Sequence, residues 1–344
     1  MENQMPTIAL IEASHWHAPL YIDALAEMGV KVVGISDEDI QVAQSVADRF
    51  GCRSYQDYRQ LLQVERPEFV FAFGKHVHMP EIARSVIKTG AGLAIEKPAG
   101  TTYGEVAQIH RIAQERSAFV AVPFVLRYSA MYEWIRESLE NGSLGQITNF
   151  YCRFIAGPPE RYLQSNSAWM LERTVSGGGC TINLAVHFID LFLDLIAPEY
   201  TTEVFAAMSN KKYQLSIEDF SSLNVLAKEG TRATIETGYA YPSSAQSLRH
   251  MGYYLTTTKG YLTITDGNLD WRSHDGSSIR KEMVTATEPF YRIFVEDTLE
   301  AFVKGKRPKA SLAELLEVMR IIDASYLSDD EHRIVGLDGN RSSL

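Results

Sequence analysis

The sequence predicts an α/β protein: a doubly wound parallel sheet in the first third, then an α+β domain with a large open antiparallel sheet. Three observations predict it. Short, nearly all-apolar runs alternate with helical periodicity up to residue 125, the pattern of βαβ units with both sheet faces covered. Past residue 145 the runs turn to alternating apolar and polar residues, the mark of strands with one buried face. A chain of 344 residues is long for one core, so two domains are expected, 1–125 and 126–344.

Taken in order, Thr7–Ile11 reads as a strand and Leu20–Met28 as a helix, followed by strand Lys31–Ile35 and helix Ile40–Phe50, which Gly51 closes. Tyr58–Gln63 is a short helix before strand Phe69–Phe73. Pro80–Thr89 is helical and ends at Gly90, and strand Leu93–Ile95, helix Gly104–Arg116 and strand Phe119–Val122 complete the first part. The weaker strands Ile147–Phe154, Glu203–Ala207, Ser221–Ala227, Ala233–Gly238, Gly252–Thr257 and Tyr261–Thr265 follow. Glu229–Gly230 and Lys259–Gly260 are hairpin signals between neighbouring strands. One helix, Cys180–Ile196, interrupts this region and stops at Pro198; two more, Phe290–Lys304 and Leu312–Leu327, close the chain.

Composition excludes several classes. A hydrophobic fraction of 45% and a charged fraction of 22% are those of an ordinary globular protein. A net charge of -10, with no basic stripe, argues against nucleic acid. Cys52, Cys152 and Cys180 are odd in number and far apart, which points to a reducing compartment rather than a disulfide frame. With no basic N-terminal region ahead of an apolar one, and no apolar run near the roughly 20 residues a bilayer needs, a cytoplasmic protein without a membrane partner is expected.

Three stretches carry chemistry. IALIEASHWHAP (residues 8–19) is a strand, a tight turn and a helix start, where a dinucleotide-binding protein carries G-x-G-x-x-G. The three glycine positions hold Glu12, Ser14 and His17. Asp37 ends the second strand, where a carboxylate can accept from both hydroxyls of an adenosine ribose; capping the next helix is its rival role, which Asp39 could equally fill. In AIEKPAG (residues 94–100), Pro98 holds Lys97 extended at the end of a strand, facing the ligand crevice of such a sheet; a solvated turn lysine is the plainer reading. In SGGGCTINLAVHFIDLF (residues 176–192), Asn183 and His187 stand four apart on one helical face and Asp190 follows three later. The plainer reading of His187 is a core histidine bonded to a carbonyl.

Together these residues resemble the Gfo/Idh/MocA oxidoreductases. The resemblance spans nearly the whole chain and includes SDED, YQDYRQLL, HVHMPEIARSVIKTG, EKP, FVLRYSAMYEWI, the glycine triplet ahead of the Asn/His helix, and the tail from FYRIFVEDTLEAF onward. It implies a Rossmann domain and a second domain for substrate binding and oligomerisation, with a nicotinamide between them. It implies oxidation of a sugar or polyol carbinol, or reduction of the ketone. Lys97 matches the EKP lysine and His187 the helix histidine. Asn183 stands where most members have aspartate, although some sugar-nucleotide 3-dehydrogenases of the family have asparagine. The resemblance places Ser14, His15, Trp16, Asp37, Gly74, His78, Glu96, Lys97 and Pro98 at the cofactor. It places Asn183 and His187 at the substrate, with Lys97, His187 and Asn183 catalytic; Arg127, Tyr128, Trp169 and Arg173 are candidate substrate neighbours, with core or surface packing as the alternative for each.

The implied chemistry is coherent. A histidine can take the hydroxyl proton, a lysine can stabilise the alkoxide, and an asparagine can hydrogen-bond a hydroxyl but cannot act as a base. No arginine follows Asp37 to hold a 2′-phosphate, so NAD is expected over NADP. A homodimer or homotetramer is expected from the open sheet face. Two other readings stay open: a ligand sensor without turnover, and a metal-dependent hydrolase or lyase in which His15, His17, His76, His78 and Glu12 converge.

Overall fold

Strand β1 (Ile8–Ile11) is fully buried and lies at the middle of a parallel sheet. The computed structural model describes residues 5–196, 201–227, 230–244, 249–284 and 286–337. Among them, β1, β2 (Val32–Ser36), β3 (Arg53–Tyr55), β4 (Phe69–Ala72), β5 (Gly92–Ile95) and β6 (Val120–Ala121) form a six-stranded sheet in the order 3-2-1-4-5-6. Every pairing in it is parallel, and β1, β4 and β5 are buried at every residue. Helices α1 (Ala18–Met28), α2 (Ile40–Phe50), α3 (Tyr58–Glu65), α4 (Met79–Thr89) and α5 (Tyr103–Glu115) connect the strands. Asp39 caps α2 by accepting from the Gln41 amide at 2.9 Å, and Asp57 and Thr102 cap α3 and α5 in the same way. Strand β3 escaped the sequence reading because it is a three-residue edge strand with only Tyr55 buried.

The chain then forms α6 (Ala130–Glu140), β7 (Ile147–Ala156), α7 (Glu160–Gln164), α8 (Arg173–Ser176) and α9 (Val186–Ile196). After these come β8 (Thr201–Ser209), β9 (Phe220–Ala227), β10 (Arg232–Gly238), β11 (Arg249–Thr257), β12 (Gly260–Thr265), β13 (Asn268–Ser273) and β14 (Ser278–Glu282). Helices α10 (Glu288–Val303) and α11 (Leu312–Glu331) and strand β15 (Val335–Gly336) end the described chain. The described strands of this region make a nine-stranded sheet, β14-β13-β12-β11-β7-β10-β9-β8-β15. It is mixed rather than purely antiparallel, because β7 and β10 pair in parallel at its centre. Strand β14 was invisible to periodicity since all five of its residues are exposed. The Lys259–Gly260 turn does join the antiparallel pair β11 and β12. Glu229 and Pro198 lie outside the described residues.

The chain divides into two compact units, with a boundary less simple than the expected 1–125 and 126–344. The first unit comprises residues 1–125, 160–177 and 288–316, and the second 126–159, 178–287 and 317–344. Segments read from the sequence as part of the later domain return to the earlier one. In the second unit, α9 covers one face of the mixed sheet through Phe192 on Phe150 (5.7 Å between ring centroids) and Phe188 on Phe154 (5.4 Å). Residues 173–196, through α8, the glycine turn and α9, have the length and mean hydropathy (1.6) of a membrane-crossing helix, but 78% of their most apolar part is buried, as in a core helix.

The glycine triplet answers to packing. Gly177 is left-handed (φ 82°) and ends α8. A Cβ on Gly178 would stand 1.8 Å from the Tyr326 hydroxyl, and one on Gly179 would stand 2.0 Å from the Glu218 carbonyl oxygen. Gly179→Ala therefore lowers stability by about 2 kcal/mol or more. Gly104→Ala, on α5 with open space at its Cβ, raises stability by about 0.5–1 kcal/mol. Denaturant melts of the two variants check this, and equal effects would refute the packing account.

Candidate active site

The carboxyl ends of β1, β2, β4 and β5 carry the first unit's candidate residues. β1 runs into Glu12, whose backbone is left-handed (φ 61°) where a dinucleotide loop has its first glycine. Ser14 donates its amide to Asp37 at 2.7 Å, and the Asp39 amide donates to the other Asp37 oxygen at 2.9 Å. Asp37 is 1% exposed, so its carboxylate braces the loop against β2. The His17 amide donates to His15 Nδ1 at 3.1 Å, which puts the proton of neutral His15 on Nε2.

At the end of β5, Glu96 is buried and accepts from the Tyr21 hydroxyl at 2.6 Å and from His17 Nδ1 at 3.2 Å. With Nδ1 carrying the proton, His17 Nε2 accepts from the Tyr291 hydroxyl at 3.1 Å. The other Glu96 oxygen is buried and has no hydrogen-bond partner among the described residues. Burial by itself would raise the Glu96 carboxyl, but His17, His15 and Lys97 hold it well below the usual carboxylate range. Lys97 follows in a tight turn, 3% exposed, with a cis bond to Pro98. Burial, against the pull of Glu96, brings its ammonium down to about 8.

The imidazoles do not converge as metal ligands. His76 Nδ1 lies 2.7 Å from the Ser176 carbonyl oxygen, and burial pushes it down to about 4. Burial also depresses His15 and His17, while His78 is exposed on the first turn before α4. Among the described residues no three His, Cys, Asp or Glu side chains could hold an ion together. The histidines instead build an aromatic wall: Trp16 stacks on His17 (3.6 Å between centroids), and Trp169 meets His15 (5.8 Å) and His76 (4.9 Å). A cavity of about 230 Å³ between this wall and β2 is lined by Glu12, Ser14, His15, Asp37, Glu38, Lys75 and Trp169. A second, of about 360 Å³, shares Glu12, Glu38 and Lys75 and reaches His78. Gly74 is buried after β4, and Arg173 is exposed at the start of α8.

The second unit holds Asn183, His187, Arg127 and Tyr128. Asn183 sits in a π-helical turn, Thr181–Ala185, that leads into α9. Glu218 caps that turn by accepting from the Gly179 and Thr181 amides, each at 2.9 Å, and from the Tyr326 hydroxyl. Asn183 is 1% exposed and donates Nδ2 to the Tyr239 hydroxyl at 3.1 Å, which orients the amide. His187, one turn on, is half-buried. Arg127 holds Asp190 with two bonds, at 2.8 and 2.6 Å, and Asp194 at 2.8 Å. Tyr128 is buried beside it in a short 3₁₀ turn.

Asp37, Glu96 and Arg127, all expected at a ligand, thus have protein partners of their own. Sequence reasoning missed Tyr21, Tyr291, Glu218 and Tyr239. Only Tyr21 had a local signal, four residues after His17 on the same helix face.

A parallel sheet ordered 3-2-1-4-5-6, with a carboxylate at the end of β2 and a lysine at the end of β5, defines a protein of the dinucleotide-binding fold class. The chain belongs to the Gfo/Idh/MocA oxidoreductase family. Residues 10–124 match its NAD-binding Rossmann fold, and residues 132–263 match its C-terminal domain. The chain is 25% identical to a levoglucosan dehydrogenase from Pseudarthrobacter phenanthrenivorans over 46% of its own length. It is 23% identical to a 1,5-anhydro-D-fructose reductase from Ensifer adhaerens over 77% of its length and 80% of that protein. A crystal structure of an oxidoreductase from Agrobacterium radiobacter, in complex with NAD+, L-tartaric acid and magnesium, superposes with a TM-score of 0.86 at 15% identity, covering 97% and 99% of the two chains. At that identity the likeness shows the fold. The chain spans about half the length of several curated relatives that it matches, 40% for the levoglucosan dehydrogenase and 52% for an uncharacterized oxidoreductase of Synechocystis.

Arg127→Ala leaves the buried Asp190 without its two-bond partner and lowers stability by about 3–5 kcal/mol. Arg136→Ala, whose ion pairs are half-exposed, lowers it by about 1 kcal/mol or less. Chemical denaturation separates the two, and a neutral Arg127→Ala would return Arg127 to the ligand-binding set.

Proposed function

We propose that the protein is an NAD-dependent oxidoreductase that interconverts a carbinol and a ketone on a sugar, polyol or sugar derivative. The observation that carries this reading is Lys97, buried at the carboxyl end of β5 in a sheet whose switch point, between β1 and β4, opens onto two adjoining cavities. The residues there fit a dinucleotide. The loop ahead of α1 lines the first cavity, where Ser14 and His15 offer donors, and half-exposed Glu38 offers a carboxylate to a ribose. NAD supplies the hydride acceptor; the chain's own residues handle the proton and the developing charge.

His187 accepts the proton of the carbinol hydroxyl, and Asn183 orients that hydroxyl through its fixed amide. Lys97 has the role that the family resemblance implies, a donor to a developing alkoxide or to a carbonyl oxygen. An ammonium near 8 is charged at neutral pH yet close enough to release its proton. The oligomeric expectation finds support on the face of the mixed sheet away from α9, where Tyr151 meets Tyr254 and Phe205 and Tyr261 are exposed. Three free cysteines, two of them buried, fit a cytoplasmic setting.

Titration calorimetry with NAD and NADP, followed by a sugar and polyol panel watched for NADH, tests the proposal. NADP binds at least about tenfold more weakly, since the Asp37 and Glu38 carboxylates that line the cavity would face its 2′-phosphate. Lys97→Ala and His187→Ala each lower turnover by about 10² or more with the fold intact. Binding of NAD without turnover on any panel member would favour a ligand sensor instead. Wild-type turnover in both variants would sink the assigned roles.

A further inference from the structure

The two cavities at the strand ends meet at Glu12, Glu38 and Lys75. The Glu12 side chain runs along Gly74, with its Cγ 3.6 Å from where a Cβ on that glycine would be. Its surroundings are mostly negative. Asp37 and Glu38 face it from the end of β2, and Lys75 from the loop after β4. His78 and Glu81, at the start of α4, and Asp57 and Arg59, at the start of α3, line the same cavity. His15 lines the other. The cations are already engaged: Lys75 pairs with Glu38, and Arg59 with Asp57 and Glu81. Among the described residues no ion pair reaches Glu12.

A half-buried carboxyl in that setting holds its proton up to near neutral pH. Burial first, then Asp37 and Glu38, push it up to about 7. Held as an acid it is a donor, and a donor at the first loop position compensates for the Ser14 and His17 amides, which are turned onto Asp37 and His15. We infer that Glu12 is a cofactor-contact residue that acts as a neutral carboxylic acid, donating its O–H to the ribose–phosphate backbone of the bound dinucleotide, so that binding takes up a proton. This rests on the dinucleotide reading above. The bookkeeping is one proton from solvent onto one carboxylate oxygen, with no other bond made or broken.

The direction with pH follows. Below neutral pH free Glu12 already carries its proton and affinity is flat. Above about 7 the free protein has lost it, and affinity falls by about tenfold per pH unit. The test is calorimetry on the full chain with NAD+, in buffer pairs of different protonation enthalpy on both sides of neutral pH, for wild type, Glu12→Gln and Glu12→Gly. Wild type takes up a fraction of a proton that rises with pH, and both variants take up none and bind with a flat pH profile. Glu12→Gln keeps the wild-type affinity of low pH, because its amide still donates.

Thermal melts give a ligand-free check. Unfolded Glu12 ionises near 4.5 and folded Glu12 near 7, so wild type loses stability as pH rises across that window and Glu12→Gln does not. PH-independent NAD+ binding by wild type, or the same proton uptake in Glu12→Gln, overturns the inference and leaves the dinucleotide reading standing. Failure of all three proteins to bind NAD+ at any pH overturns that reading, and this inference with it.

Discussion

A single buried carboxylate, Glu96, ties the first unit's strand ends together. One of its oxygens holds Tyr21 and His17 of the loop and helix after β1, and His17 in turn holds Tyr291 of α10. A charge 3% exposed survives only with such partners, since removing one side of a buried pair costs about 3–5 kcal/mol. Its neighbour Lys97 inherits the arrangement. The ammonium is buried as well, and the Glu96 charge keeps it from being driven down further. Placement of the candidate reacting group and cohesion of the unit are one electrostatic problem.

That bond also explains what replaced glycine in the loop. His17 stands at the third glycine position, yet its imidazole turns inward to Glu96 rather than out toward a ligand. Trp16 stacks on it, and Trp169 packs on His15. Glycines let backbone amides approach a phosphate; here side chains fill that space and two of the amides are bonded within the protein. The consequence falls on Glu12, which takes the left-handed backbone of a first glycine while carrying a carboxyl into the cavities.

The second unit solves its problem with packing. The second and third glycines of the triplet leave room for Tyr326 and for the backbone of Glu218. Glu218 then satisfies two amides at the start of the π-helical turn that carries Asn183. Neither Glu218 nor Tyr239 stands near that turn in sequence, so no motif could have named them.

The sequence by itself determined the parallel sheet, the succession of its helices, the mixed sheet's main strands and the positions of Lys97, Asn183 and His187, because periodicity and short motifs are local properties of a chain. Edge strands β3 and β14 left no such trace, since exposed residues at an edge need no pattern. Only the tertiary structure decided which polar groups are engaged. Asp37 read as a ribose acceptor and Arg127 as a substrate contact until the fold placed the Ser14 and Asp39 amides on one, and Asp190 with Asp194 on the other. The partners are 63 residues apart for Arg127 and Asp190 and 75 for Tyr21 and Glu96. Burial makes a polar group find a partner, and folding, not spacing along the chain, chooses which one.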